Sequence, residues 1–287
     1  MKLYVKFLIG FYIFAALGVM YLVSFIPSDK QIKSCMTTTM FEVYLCPGSK
    51  DYVPLSQISQ NVQKALILAE DANFYNHNGF DWEAIQASAE HNMAAGKYLR
   101  GGSTLTQQLA KNMFLSRDKT LIRKALEAVI TYRLETVLSK KEILERYLNV
   151  VQFGKDLFGI RKAAQFYFRK HPADLDAAES AFLVMLLPNP EKYSRSFSKK
   201  SLTPFANKRV NKIVNDMYRY HRISIDEYFR AQEKISQLFA GARKESTLRS
   251  QEPAPEPKVI TRDAKAPSEI VDEPITEKDL MLEEEEP

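Results

Sequence analysis

The sequence predicts a mainly α protein, a helical domain standing behind a single N-terminal transmembrane helix. Three observations carry that expectation. Residues 7–26 form an apolar run whose only clearly polar side chain is Ser24. From about Pro47 to Ala240, apolar positions recur at helical spacing and are punctuated by helix caps. Strand signals are confined to residues 35–46 and 149–153, and neither an internal repeat nor an alternation of strands with helices suggests a parallel sheet.

The N-terminal run is about twenty residues long, which matches a helix crossing the roughly 30 Å hydrocarbon core of a bilayer. It exceeds the roughly 7–15 apolar residues of a cleaved signal peptide. Ser24-Phe25-Ile26-Pro27-Ser28 offers no small-x-small cleavage site, so the run reads as a retained anchor. Lys2 and Lys6 favour a cytoplasmic N-terminus, weakly opposed by Lys30 and Lys33. Residues 1–6 are then cytoplasmic, 27–52 an extracytoplasmic linker, 53–240 the main domain and 241–287 a tail. Cys35 and Cys46 fall in the linker, where an oxidising compartment would let them close a small loop. No His lies near them, which disfavours zinc.

Charge divides the chain further. Residues 251–287 hold six of the 13 prolines, no aromatic residue, twelve acids and four bases, for a net charge near −8. Such a composition buries too little apolar surface to offset its ordering entropy and is read as a disordered, solvated tail. The whole chain is +5, so the remainder carries about +13. A basic body tethered to a membrane suits an anionic partner, either phospholipid or a phosphate-bearing substrate. Nucleic acid is a poor fit outside the cytoplasm.

Within the middle region, Val62, Ala65, Leu66, Leu68 and Ala69 mark a helix over 60–72. Residues 83–100, with Trp82 just before and Ile85, Met93, Ala94, Tyr98 and Leu99 within, fit a partly membrane-dipped lip and a buried amphipathic helix equally well. A long helix spans 121–138. Ser139 and Glu142 make a capping box opening a helix with Ile143, Tyr147 and Leu148 on its apolar face. Asp176 and Glu179 open another, which runs through Phe182, Leu183, Leu186 and Leu187 until Pro188 and Pro190 stop it. Residues 206–219 form one more.

Three segments carry chemistry. In Ala69 to Asp81, a helix ending in Glu70 and Asp71 runs into a loop rich in Asn, His and Gly. Adjacent carboxylates project about 100° apart on a helix, so only one faces a given cleft. In the second segment, two glycines precede a helix N-capped by Ser103 or its neighbour. On that helix Ser103, Gln107 and Lys111 form one polar stripe, and Thr104, Gln108 and Asn112 a second beside it. Leu105, Leu109 and Met113 form the buried stripe. Hydroxyls, amides and an ammonium at a helix N-terminus suit sugar hydroxyls and phosphate oxygens. The third segment is Arg123-Lys124-Ala125-Leu126-Glu127. Glu127 either forms a surface ion pair worth about 0.3–0.5 kcal/mol or projects into the same cleft as Glu70; the residues alone leave both open.

Taken in order, these segments resemble the family-51 glycosyltransferases, which polymerise peptidoglycan, and above all their monofunctional biosynthetic members from Gram-negative bacteria. The likeness covers roughly residues 53–220. It rests on Glu70-Asp71-x-x-Phe74-x-x-His77-x-Gly79, Gly102-Ser103-Thr104-x-x-Gln107-Gln108-x-x-Lys111-Asn112 and Arg123-Lys124-x-x-Glu127. It continues with Ser139-Lys140-x-Glu142-Ile143-Leu144-Glu145-x-Tyr147-Leu148-Asn149 and Leu187-Pro188-x-Pro190-x-x-Tyr193. The family often has Tyr-Gly-Ile where this chain has Phe158-Gly159-Ile160, a difference of one hydroxyl.

The resemblance implies a lysozyme-like α fold acting on lipid II and the growing lipid-linked glycan at the periplasmic face of the inner membrane. It implies Glu70 as the base that deprotonates the acceptor 4-hydroxyl, and Glu127 as an assisting carboxylate. Asp71, Phe74, His77, Ser103, Thr104, Gln107, Gln108, Lys111, Asn112, Lys119, Arg123 and Lys124 are expected to bind substrate. Lys111, Lys119, Arg123 and Lys124 would hold the leaving diphosphate. No ligand cluster typical of a fixed metal site is evident, although a divalent cation (Mg2+ or Mn2+) at the diphosphate fits the chemistry. Cell-wall synthesis or division proteins are the expected protein partners. Ser196-x-x-Lys199 lacks companion transpeptidase motifs and is read as chance, so strands would be polymerised without cross-linking. The rival readings are a lysozyme-like lytic enzyme, which would have no diphosphate to bind, and a non-catalytic membrane-tethered scaffold. Removing residues 251–287 is expected to leave polymerisation in place; a large loss in a lipid II assay would give the tail a role.

Overall fold

The computed structural model describes residues 4–5, 7–13, 20, 24–96, 101–118, 120–198 and 201–238. Of the expected anchor at 7–26, residues 14–19 and 21–23 lie outside the described residues. Residues 7–13 are helical, and among the described residues no helix is long and apolar enough to cross a membrane. Lys119, residues 97–100 and the acidic tail also lie outside the described residues. Helix dominates the remainder, as the periodicity predicts.

The described residues form two compact units, whose bounds along the chain are as follows. The first comprises Met1–Gln57, Glu70–Val151 and Phe158–Arg161. It opens with α1 (Asp29–Lys33), held by a Ser28–Gln31 capping box. Strands β1 (Met36–Thr37) and β2 (Tyr44–Leu45) then pair antiparallel, with Met36 opposite Leu45 and Thr37 opposite Tyr44. Cys35 and Cys46 lie immediately outside that ladder and are joined by a disulfide. The chain continues through α2 (Gln60–Glu70), α3 (Trp82–Ala95), α4 (Leu105–Phe114), α5 (Leu121–Val137) and α6 (Lys140–Val150). Glu70 belongs to the first unit, and the rest of α2 to the second.

Helix α4 packs against α5 and α6, because its apolar stripe points inward: Leu105, Leu109 and Met113 are wholly buried, as their spacing predicts. Helices α4, α5 and α6 each start where a side chain satisfies an orphan N–H group. Thr104 caps α4 in a capping box with Gln107, Thr120 caps α5, and the predicted Ser139–Glu142 box opens α6. Helix α3 does not match the buried-amphipathic alternative, since Ser88 is its only buried residue and Met93 is 82% exposed. Gly102 lets α3 come close: a Cβ there would sit 3.0 Å from the Ile85 Cα.

A clip on α6 fixes the segment that leads toward α2. The Asn149 amide oxygen accepts the Val53 N–H at 2.8 Å, and its nitrogen donates to the Val53 and Glu145 carbonyls at 2.9 and 2.8 Å. Glu145 accepts the Leu55 N–H at 2.7 Å and the Tyr52 hydroxyl. Two motif residues that the resemblance left without a role thus serve the backbone of 52–55.

The second unit comprises Ile58–Ala69, Gln152–Leu157 and Lys162–Pro287. A short hairpin, β3 (Gln152–Gly154) and β4 (Leu157–Phe158), precedes α7 (Ile160–Phe168), α8 (Ala177–Leu186), α9 (Pro190–Tyr193), α10 (Arg195–Ser198), α11 (Pro204–Arg219) and α12 (Ile225–Gln237). Every residue of α8 is buried, and α11 and α12 pack against it. Its predicted Asp176–Glu179 capping box is present. The buried Glu179 carboxylate is met by Lys170 at 2.9 Å and Lys234 at 2.7 Å, so its charge is paired as burial requires.

Asn149→Ala is expected to lower stability by about 2–3 kcal/mol, because it strands the buried Val53 N–H. Chemical denaturation should show the loss as a lower midpoint with an unchanged slope.

Candidate active site

The helix expected over 60–72 ends at Glu70, two residues early, because Asp71 turns inward and is held there. Asp71 is 5% exposed. Its Oδ1 lies 2.8 Å from His77 Nε2, and its Oδ2 accepts the Leu105 N–H at 2.9 Å, the first amide of α4. His77 Nδ1 in turn accepts the Gly79 N–H at 3.1 Å, which assigns the proton to Nε2 in the neutral ring. The Gly79 carbonyl accepts the Thr104 hydroxyl at 2.7 Å. Only glycine fits at 79: φ is +91°, and a Cβ would meet Thr131 Cγ2 at 2.8 Å. Phe74 is wholly buried beneath this loop, with the Lys140 ammonium 4.6 Å from its ring centre. Asp71 and Phe74, expected to bind substrate, therefore face the protein interior, and the half-buried His77, expected to do the same, is bonded to Asp71 and helps brace the loop onto α4.

With Asp71 turned inward, Glu70 projects elsewhere and is half-buried. Its Oε2 accepts the Gln108 Nε2 at 3.1 Å. Gln108 Oε1 accepts the Tyr147 hydroxyl at 2.9 Å, which sets the orientation of the amide. Tyr147 is fully buried; burial and then the negative charge of Glu70 push its phenol well above the usual range, so it stays a donor. Tyr147 was legible as an apolar-face residue of α6 and a motif position, with no role at the site. The available signal was a phenol at a wholly buried position, which needs a partner for its hydroxyl.

Glu127 is 3% exposed, which the surface ion-pair reading does not allow. Arg123 Nη1 donates to its Oε2 at 2.7 Å, and Lys124 meets its Oε1. Thr131 Oγ1 donates to the Glu127 carbonyl at 2.7 Å. Lys111 belongs to the same electrostatic cluster. Burial holds its ammonium below the usual lysine range, the charge of Glu127 opposes that, and Arg123 and Lys124 add to it. Helix α4 therefore carries both links: Gln108 touches Glu70, and Lys111, one turn on, is coupled to Glu127.

The two polar stripes predicted on α4 are only partly open. Ser103 is exposed, and Gln108 and Lys111 are half-buried. Thr104, Gln107 and Asn112 are buried. Gln107 is committed to the capping box, its Oε1 accepting the Thr104 N–H at 3.0 Å. Phe158, the departure from Tyr-Gly-Ile, packs its ring 4.8 Å from that of Phe41. Among the described residues no three His, Cys, Asp or Glu side chains gather where they could hold one metal ion.

Residues 38–218 match the family model described as Transglycosylase. The chain belongs to the transglycosylase family. The matched span takes in every site residue from Glu70 to Tyr147. A "Biosynthetic peptidoglycan transglycosylase" of Paraburkholderia xenovorans (strain LB400) is 46% identical over 166 residues, covering 58% of this chain and 68% of the relative. One of the same name from Aromatoleum aromaticum (strain DSM 19018 / LMG 30748 / EbN1) is 49% identical over 147 residues, 51% of this chain and 64% of the relative. One from Pasteurella multocida (strain Pm70) is 52% identical over 139 residues, 48% of this chain and 56% of the relative. The chain thus spans between about half and two thirds of the length of the relatives it matches.

Because burial lowers the proton affinity of Lys111, its charge is lost at a lower pH than that of an exposed lysine. Lys111→Arg keeps the charge, so the alkaline limb of the transglycosylase rate–pH profile should move upward in that variant. An unmoved limb would show that another group sets it.

Proposed function

We propose that this chain polymerises lipid II into β-1,4 glycan strands with release of polyprenyl diphosphate, for cell-wall synthesis. The observation that carries the reading is the division of labour along α4. Gln108 holds the Glu70 carboxylate, and three residues later Lys111 joins Arg123, Lys124 and the buried Glu127. That arrangement pairs a base with a cationic cluster, which is what displacement of a diphosphate by a sugar hydroxyl needs.

In this reading Glu70 takes the proton from the 4-hydroxyl of the acceptor's N-acetylglucosamine. The freed oxygen pair attacks C1 of the donor's N-acetylmuramic acid, and the C1–O bond to the diphosphate breaks with inversion. The leaving diphosphate takes the electron pair, and its charge is balanced by Lys111, Arg123 and Lys124. Glu127 keeps two of these cations in place rather than meeting the anion itself. The steps need no metal-bound group; a divalent cation would add to the charge on the diphosphate side.

A lytic lysozyme-like enzyme would have no use for the cationic cluster, and a scaffold would have no use for a carboxylate oriented by an amide and a buried phenol. The apolar run at 7–26 and the basic body support placement at the periplasmic face of the inner membrane, where a polyprenyl substrate resides.

Glu70→Gln should abolish polymerisation of purified lipid II, a loss of at least about 10²–10⁴-fold, with an unchanged unfolding temperature. Glu127→Gln should also be severely impaired. Wild-type rates in Glu70→Gln, or cleavage of finished glycan with no growth from lipid II, would overturn the reading.

A further inference from the structure

The loop that Asp71 braces also shapes a cavity that the chemistry above does not use. Its volume is about 580 Å3, and its lining includes Asn73, Asn76, Asn78, Phe80, Asp81 and Trp82. That size falls within the roughly 300–1,000 Å3 of small-molecule sites.

The lining is selective in kind. Trp82 is 71% exposed, yet it is not loose: its ring lies nearly parallel to that of Phe80, with centroids 5.6 Å apart and planes at 22°. One face of the indole is thereby supported and the rest is offered to solvent. Asn76 and Asn78 are exposed and bring both donor and acceptor atoms. Asp81 is fixed as well, its Oδ1 accepting the Ala84 N–H at 2.9 Å to cap α3 and its Oδ2 accepting the Asn73 amide at 3.0 Å. The second bond directs Asn73 Nδ2 to Asp81 and leaves its carbonyl oxygen for other partners.

Charge narrows the ligand. No Lys or Arg lines the cavity; His77 does, with its Nε2 held by the Asp71 carboxylate, and so do the carboxylates of Asp81 and Glu83. A phosphate or an anionic headgroup would meet repulsion there, in contrast to the cationic cluster beside Glu127. A flat, supported aromatic face edged by amides suits a neutral pyranose, whose C–H face packs on the indole while hydroxyl and acetamido groups bond to the amides.

We infer that this cavity binds a neutral, N-acetylated glycan strand through Trp82, Asn76 and Asn78. The identity of that strand as the enzyme's own product rests on the function proposed above; the existence of the site does not. Such a site would hold growing polymer close to the loop that carries Glu70.

Trp82 is the only tryptophan in the chain, so tryptophan emission excited at the red edge, where tyrosine does not absorb, reports on this site alone. The full-length chain in detergent would be titrated with a soluble β-1,4-linked N-acetylglucosamine oligosaccharide. A saturable blue shift is expected. Asn76→Ala with Asn78→Ala should weaken the binding about tenfold, as two lost hydrogen bonds imply, at an unchanged unfolding temperature. Absence of a saturable shift, or equal affinity in the double variant, would overturn the inference. A shift with phosphatidylglycerol vesicles but none with oligosaccharide would also overturn it and assign Trp82 to the membrane. Lost lipid II polymerisation with an intact shift would instead count against the proposed function alone.

Discussion

The buried carboxylate of Asp71 is the joint between two stretches of chain more than thirty residues apart: one oxygen meets His77 of its own loop and the other accepts the first amide of α4. An unpaired carboxylate at that depth would be costly, so the site requires both partners at once. Their presence fixes where α4 begins relative to the end of α2. Everything else at the site follows from that start point. Thr104 can cap α4 and reach the Gly79 carbonyl, Gln108 falls level with Glu70, and Lys111 falls one turn further, by Glu127. Hydrogen bonds to an ionised group are roughly twice as strong as neutral ones, which makes this carboxylate a firmer reference than the apolar packing around it.

The two glutamates share a helix as their neighbour but live in different surroundings. Glu70 is half-buried and faces a neutral amide. Glu127 is almost wholly enclosed and faces two cations. Identical side chains therefore have different surroundings: in the proposed reading the first accepts a proton, and the second holds positive charge in place. The clip from Asn149 and Glu145 extends the same economy, since α6 supplies Tyr147 to the site from its middle and supports residues 52–55 from its end.

Much of the fold was legible because helices announce themselves locally. The capping boxes at Ser139 and Asp176, and the Leu105–Leu109–Met113 stripe, depend on spacing alone and stand where the sequence puts them. The site was legible as a set of residues but not as a geometry. Sequence cannot say that Asp71 faces inward while Glu70 does not, because that choice is made by a backbone amide thirty-four positions away. Gln107 and Gln108 look equivalent in the chain, yet one closes a cap and the other touches the carboxylate. The residues alone left Glu127 between a surface pair and a cleft position, because burial depends on neighbours that spacing does not reveal. Tyr147 stayed hidden for the same reason, its hydroxyl being the one polar atom on an apolar face.

The chain from Tyr147 through Gln108 to Glu70 also has a direction. The phenol donates to the amide oxygen, which leaves only the amide nitrogen to turn toward the carboxylate. Through this contact Glu70 meets a donor, and the contact is strongest when the carboxylate carries its charge. A residue that must begin its cycle by giving up a proton would want the opposite polarity. The amide, by the way it is turned, favours the charged carboxylate that the proposed role as base requires.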